Sequence, residues 1–295
     1  MPLNKDTSTI AWIGTGVMGV PMAGHLMDGG WKVVVYNRTK AKAEPLLERG
    51  AQWADTPGEA AAQADVVFTI VGFPHDVRSI YLDAGGIMER ARPGTILVDM
   101  TTSDPVLAVE IAEKAAARGL QALDCPVSGG EIGAKEARLS IMGGGDEQAF
   151  EQVRPLLELM GKKIVRHGGP GKGQYAKLAN QILLAGQMVS VAEALVFARA
   201  VGLDEDKAFE SLGAGAGAGY SFQTFWPKMV NGDNKPGFYV RHFIKDMDLA
   251  LNESERLRLF TPALGLARLL YDRVVELGGE DLGTQAIYLA LKDVG

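Results

Sequence analysis

Three glycines at the end of an apolar strand limit this chain more tightly than any other feature. Ile10-Ala-Trp-Ile13 reads as a short buried strand, and Gly14-Thr-Gly16-Val17-Met18-Gly19 follows at once, opening an apolar-patterned helix over about Met18 to Met27. In such a strand-turn-helix the first glycine permits the tight turn and the second lets a ligand approach the backbone. The third lets helix and strand pack closely. Free N–H groups and the helix dipole then favour a diphosphate at Gly16, Val17 and Met18. The G-x-G-x-x-G pattern alone is a weak signal, because glycine-rich turns are common. In this setting it predicts dinucleotide binding.

The rest of the first half keeps the same rhythm. Trp31 to Tyr36, Asp65 to Val71 and Thr95 to Asp99 read as buried strands, with two more over Gln121 to Asp124 and Arg138 to Met142. Stretches such as Asp104 to Arg118 have helical periodicity. Strands separated by helices imply right-handed crossovers and a mainly parallel sheet. Beyond the Gly168 to Gly173 stretch the character changes. Lys172 to Val201 is apolar, rich in alanine and free of proline, and helical segments follow near Leu203 to Leu212, Lys245 to Arg258 and Pro262 to Glu276. The first of these helices would run about 45 Å and is apolar over nearly its whole circumference, so burial on several sides is expected. A chain of 295 residues suits two domains. The expected fold class is α/β: a Rossmann-type dinucleotide-binding domain over 1–168, then an all-α domain over 169–295 with a long central helix. So apolar a helix in so small a domain calls for a partner subunit, in a homodimer or homotetramer.

Composition narrows the setting. Thirty-six acidic against 30 basic side chains leave a formal charge of -6, with no block of Lys and Arg, which argues against a nucleic-acid partner. No apolar run approaching the roughly 18 residues of a membrane span is expected to stand out. The opening MPLNKDTSTIAWIGTG enters a strand without a signal-peptide pattern. Cys125 is the single cysteine, so no internal disulfide forms and a reducing cytoplasm is expected. His25, His75, His167 and His242 lack metal-ligand spacing, and no metal is expected.

The end of the second strand selects the cofactor. An Asp or Glu there commonly holds the ribose hydroxyls of NAD, but this chain has Tyr36-Asn37-Arg38-Thr39-Lys40 and no carboxylate before Glu44. The Arg38 guanidinium suits a 2′-phosphate, Thr39 can add a hydroxyl, and Lys40 or Lys42 can add charge. Asn37, Arg38 and Thr39 therefore favour NADP(H), with NAD(H) possible. A plain solvated basic turn is the alternative.

Longer motifs carry a resemblance. IGTGVMGVPMAGHL is similar to the opening of the β-hydroxyacid dehydrogenases, which include 3-hydroxyisobutyrate dehydrogenase and the tartronate, glyoxylate and succinic semialdehyde reductases. Asp124-Cys-Pro-Val-Ser128-Gly129-Gly130, then Gly171-Lys-Gly173-Gln174-Tyr-Ala-Lys177, then Lys245-Asp246 resemble that family's later motifs, in its order and across essentially the whole chain. The resemblance implies hydride transfer between a nicotinamide and a small hydroxyacid or semialdehyde. It makes Lys177 the catalytic residue and Ser128, Gly129 and Gly130 the substrate-carboxylate loop. It also assigns Phe73 and Pro74 to covering part of the cofactor, Thr102 of Asp99-Met-Thr-Thr102-Ser-Asp-Pro105 to the nicotinamide ribose, and Lys245 to the cofactor side. The family usually places an asparagine four residues after its lysine; here that position is Gln181, preceded by Asn180, and which amide meets substrate stays open.

The chemistry of these residue types agrees. Hydride transfer needs a proton donor or acceptor beside the reacting oxygen. Lys177, early in an apolar helix, stands where burial and the dipole both favour the free amine. Ser128 with two following glycines can form an anion nest of hydroxyl and backbone N–H groups, and no G-x-S-x-G elbow makes Ser128 a nucleophile. Gly213 to Gly219 reads as a flexible loop, followed by Tyr220, Ser221 and Phe222, which border substrate in related chains. Three other readings compete: a non-catalytic binding module, an imine reductase of similar fold, and 6-phosphogluconate dehydrogenase. Lys177 with Ser128-Gly129-Gly130 disfavours the first, and Lys177 itself the second. A small helical domain short of basic residues disfavours the third.

Overall fold

A computed structural model describes residues 3–292. Within them the first half forms β1 (Thr9–Ile13), β2 (Lys32–Tyr36), β3 (Gln52–Trp53), β4 (Val66–Thr69), β5 (Ile96–Asp99), β6 (Gln121–Asp124), β7 (Val127–Ser128), β8 (Leu139–Gly145) and β9 (Gly161–Arg166). The sheet runs in the order β3-β2-β1-β4-β5-β6-β8-β7, with β9 paired to β8. Pairs from β3 through β6 are parallel, whereas β8 lies antiparallel to β6 and β7. The chain's direction of travel across the sheet reverses between β1 and β4, and ligands of open α/β sheets bind at that switch, beyond the carboxyl ends of the strands.

Alternation of side chains explains the continuous apolar strands. Ile10 and Trp12, Val66 and Phe68, and Ile96 and Val98 point to one face, where Met22, Ala23 and Leu26 of helix Gly19–Asp28 cover them. Ala11 and Ile13, Val67 and Leu97 point to the other, against Ala60, Val77, Tyr81 and Leu107. A sheet covered on both faces must be apolar on both, so its strands lose the polar alternation of a half-exposed one. Helix Pro105–Ala116 begins on Asp104, whose carboxylate accepts the Val106 N–H at 2.7 Å.

Contacts divide the chain into two compact units, Met1–Lys177 and Leu178–Gly295. That division lies nine residues beyond the one read at 168/169, because the first turn and a half of helix Lys172–Ala200 packs with the sheet unit. In the second unit Leu178, Ala185, Met188, Ala192 and Leu195 of that helix meet Phe243 and Met247 of Val240–Arg256, Tyr271 of Pro262–Glu276, and Trp226. By length and composition alone this helix could cross a membrane, contrary to the expectation that no apolar run approaches that length, because its few polar side chains are spread among apolar ones. Its buried face makes it the core helix of its unit. Tyr220 begins helix Tyr220–Val230, and two of the residues considered beside the substrate are internal: Ser221 donates to Gln187 Oε1 at 2.7 Å, and Phe222 stacks on Phe209.

Candidate active site

The three fingerprint glycines differ in what surrounds them. Gly14 has φ +101°, and a Cβ there would lie 2.0 Å from the Ile70 carbonyl oxygen. A Cβ on Gly19 would lie 1.9 Å from the Gly14 carbonyl oxygen, so strand and helix meet there without side chains. Gly16 has nothing within 4 Å of its Cβ direction, and Gly16 and Val17 are exposed. Helix Gly19–Asp28 starts at Met18 with no side chain capping its N–H groups. A tight turn, an open approach and an uncapped helix end fit a diphosphate.

Asn37, Arg38 and Thr39 do different work at the end of β2. Asn37 Oδ1 accepts the Thr15 N–H at 3.0 Å and its Nδ2 donates to the Thr39 carbonyl at 2.9 Å, so this amide ties the glycine loop to the basic turn. Arg38 is 87% exposed and touches Asp76 at 3.3 Å, a weak contact that leaves the guanidinium able to turn toward an anion. Lys40 lies over the Trp53 ring. Phe73 and Pro74 open helix Pro74–Leu82 just beyond β4, with Phe73 stacked on His75.

The carboxyl ends of β5 and β6 bring two carboxylates together, because Asp99 and Asp124 are register partners. Asp99 accepts from Thr69 Oγ1 at 2.8 Å and from the Thr101 N–H at 3.1 Å. Asp124 accepts the Gly171 N–H on one oxygen and the Gln174 N–H on the other, each at 2.8 Å. Two otherwise unpaired donors at the start of helix Lys172–Ala200 are thereby satisfied. The fit is close: a Cβ on Gly173 would lie 2.3 Å from the Asp124 carbonyl oxygen, and one on Gly144 would lie 2.5 Å from Asp124 Oδ1. Burial raises the Asp124 carboxyl to about 6, and Asp99 adds to the rise. The N–H bonds from Gln174 and Gly171 oppose it.

From this anchored turn Lys177 follows three residues after Gln174 and is only 6% exposed. Gln174 is fully buried; its Oε1 accepts the Ser103 N–H at 2.9 Å and its Nε2 donates to the Thr101 carbonyl at 2.8 Å, one residue on each side of Thr102. Ser128 ends β7, four residues beyond Asp124. Gly129 and Gly130 follow with φ +135° and +62°, where the chain turns from β7 into helix Gly130–Lys135.

In the second unit the two amides separate. Asn180 Nδ2 donates to Gln181 Oε1 at 2.7 Å, and Gln181 Nε2 donates to Asp246 Oδ2 at 2.6 Å. Lys245 Nζ pairs with Asp246 Oδ1 at 2.7 Å. Gln181 is 1% exposed with both ends of its amide engaged, whereas Asn180 is half-buried. The sequence gives Asp124 no role and sets Gln174 only on the helical face of Lys177, Asn180 and Gln181, although both stand inside quoted motifs. Only the pairing of each motif with a distant segment distinguishes them. Among the described residues no cluster of three or more His, Cys, Asp or Glu is arranged to hold a metal ion.

The chain is similar to known proteins over nearly its whole length. Residues 9–169 match the family described as the NAD binding domain of 6-phosphogluconate dehydrogenase, and residues 171–291 match that described as the NAD-binding of NADP-dependent 3-hydroxyisobutyrate dehydrogenase. The probable mitochondrial 3-hydroxyisobutyrate dehydrogenase-like 1 of Arabidopsis thaliana is 47% identical, over 98% of this chain and 87% of its own length. The 2-hydroxy-3-oxopropionate reductase of Escherichia coli is 35% identical over 96% and 97%. Among solved structures, Mycobacterium tuberculosis 3-hydroxyisobutyrate dehydrogenase with L-serine superposes with TM-score 0.88 at 33% identity, covering 97% of this chain and 99% of that one.

The raised Asp124 carboxyl has a consequence for stability. Between its ordinary value of 3.8 and about 6 the folded protein binds the proton more tightly than the unfolded chain does. This group therefore adds stability as pH falls through 6 toward 4, and that contribution is lost as pH rises. Denaturant titration of the parent and Asp124→Asn should show their difference moving in the parent's favour by about 2 kcal/mol between pH 7 and pH 4.5. A difference that does not change with pH would mean that Asp124 titrates like a solvated carboxylate.

Proposed function

The chain belongs to the β-hydroxyacid dehydrogenase family, and on that premise we propose that it is an NADPH-preferring enzyme of small hydroxyacid and semialdehyde carboxylates, with Lys177 as general acid and base. It is an NAD(P)-dependent oxidoreductase of the CH–OH group. The observation that carries the finer reading is Lys177: a buried amine on a helix whose first turn is bound to the end of the sheet. In reduction its ammonium gives a proton to the substrate oxygen; in oxidation its free amine removes the hydroxyl proton. When bound, the nicotinamide supplies or accepts the hydride.

Gly14, Gly16, Val17, Met18 and Gly19 hold the diphosphate. Arg38 and Thr39 take the 2′-phosphate on a turn shaped by Asn37, and Phe73, Pro74, Thr102 and Lys245 complete the cofactor's surroundings. Ser128, Gly129 and Gly130 bind the substrate carboxylate. Asn180 is the amide assigned to substrate, because Gln181 is already committed to Asn180 and Asp246. Exposed Leu183, Phe197 and Leu269 on the helical unit support a homodimer or homotetramer. A single buried Cys125 supports the cytoplasm.

Two measurements test this reading. Lys177→Ala should lower kcat for semialdehyde reduction by about 100-fold or more, with the thermal midpoint and NADPH affinity nearly unchanged; a fully active variant would remove Lys177 from the chemistry. NADP(H) should bind at least about tenfold better than NAD(H), and Arg38→Asp should narrow or reverse the preference by setting a carboxylate against the phosphate. Equal affinities in the parent would overturn the cofactor assignment.

A further inference from the structure

We propose that Gln174 is a positioning residue that locks the loop beyond β5 to the helix turn bearing Lys177, so that Thr102 and Lys177 are held in one fixed relation. This rests on the reading of Lys177 and Thr102 given above. The side chain and the backbone N–H of this residue tie its helix turn to two places at the end of the sheet. Its Oε1 and Nε2 bind the Ser103 N–H and the Thr101 carbonyl on either side of Thr102. Its own N–H is held by Asp124 Oδ2. The Thr101 hydroxyl in turn accepts the Val71 N–H at 3.0 Å, extending the network to the loop after β4 that leads to Phe73. The loops after β4 and β5 lie at the carboxyl ends of neighbouring parallel strands, where open sheets bind ligands.

The side chain suits no simpler task. A buried amide is costly unless both its polar ends are paired, and an apolar residue of similar volume would fill the space without that demand. The loop presents a donor and an acceptor two residues apart, and a carboxamide answers both with one planar, uncharged group. Exposure of zero leaves no room for contact with substrate or cofactor. Its effect must therefore pass through the Thr101-Thr102-Ser103 backbone.

The test uses Gln174→Met, which keeps the volume and loses both hydrogen bonds, and two readouts. The first is amide hydrogen exchange without ligands. The segment 100–104 should exchange at least tenfold faster than in the parent, while Gly14 to Gly19 is unchanged. The second compares single-turnover hydride transfer with affinity for adenosine diphosphate, which carries no nicotinamide. Transfer should slow at least tenfold with diphosphate affinity within twofold. Unaltered exchange at Ser103 would overturn the proposal, as would a loss of diphosphate affinity in step with transfer, since that pattern reports general unfolding. Should Gln174→Met fail to fold, Gln174→Leu replaces it: it too loses both hydrogen bonds to the 101–103 backbone, and the same split is required. A parent protein that transfers no hydride to any semialdehyde would refute the functional reading instead, and the exchange readout would still decide the lock.

Discussion

Asp124 sets a constraint on which much of the sheet unit's geometry depends. Its carboxylate is withdrawn from water at the end of β6 and spends both oxygens on the first turn of helix Lys172–Ala200. Desolvation opposes ionisation there more strongly than two backbone N–H groups favour it, since the carboxyl is raised to about 6. Burying such a group is unfavourable unless it fixes something. What it fixes is the position of one helix end against the sheet, through glycines at 144 and 173 that leave no space for a side chain. Lys177, one turn further along, inherits its place from that contact.

The glycine loop and the basic turn after β2 show opposite physics. The glycine loop is rigid by exclusion: Gly14 and Gly19 are closed by neighbouring backbone, and Gly16 alone stays open. The basic turn is adaptable, because Asn37 pins its backbone while Arg38 remains solvated beside Asp76.

Short-range pattern was enough for much of this. Apolar runs gave β1, β2, β4, β5 and β6 nearly to the residue, and helices Gly19–Asp28, Lys172–Ala200 and Pro262–Glu276 followed from periodicity and from the glycine and proline boundaries. The strands β3, β7 and β9 escaped because each is short or polar and is defined by pairing with β2 or β8 rather than by its own composition. Asp124 and Gln174 escaped for a related reason: their partners lie about 50 to 70 residues away in sequence, so neither periodicity nor residue type reveals them. Gln181 stood in the sequence as one of two possible substrate amides, and its burial and its bond to Asp246 distinguish it from Asn180.

Proton transfer by Lys177 is the central claim, and its most direct test is the pH dependence of kcat/KM measured in both directions on the unmodified protein. Reduction of a semialdehyde consumes a proton, so it should fall on the alkaline side of one ionisation. Oxidation of the matching hydroxyacid needs the free amine and should fall on the acid side of that same ionisation. Limbs of opposite direction that share a midpoint are the result this account predicts. Profiles that are flat, or that fall on the same side in both directions, would contradict it.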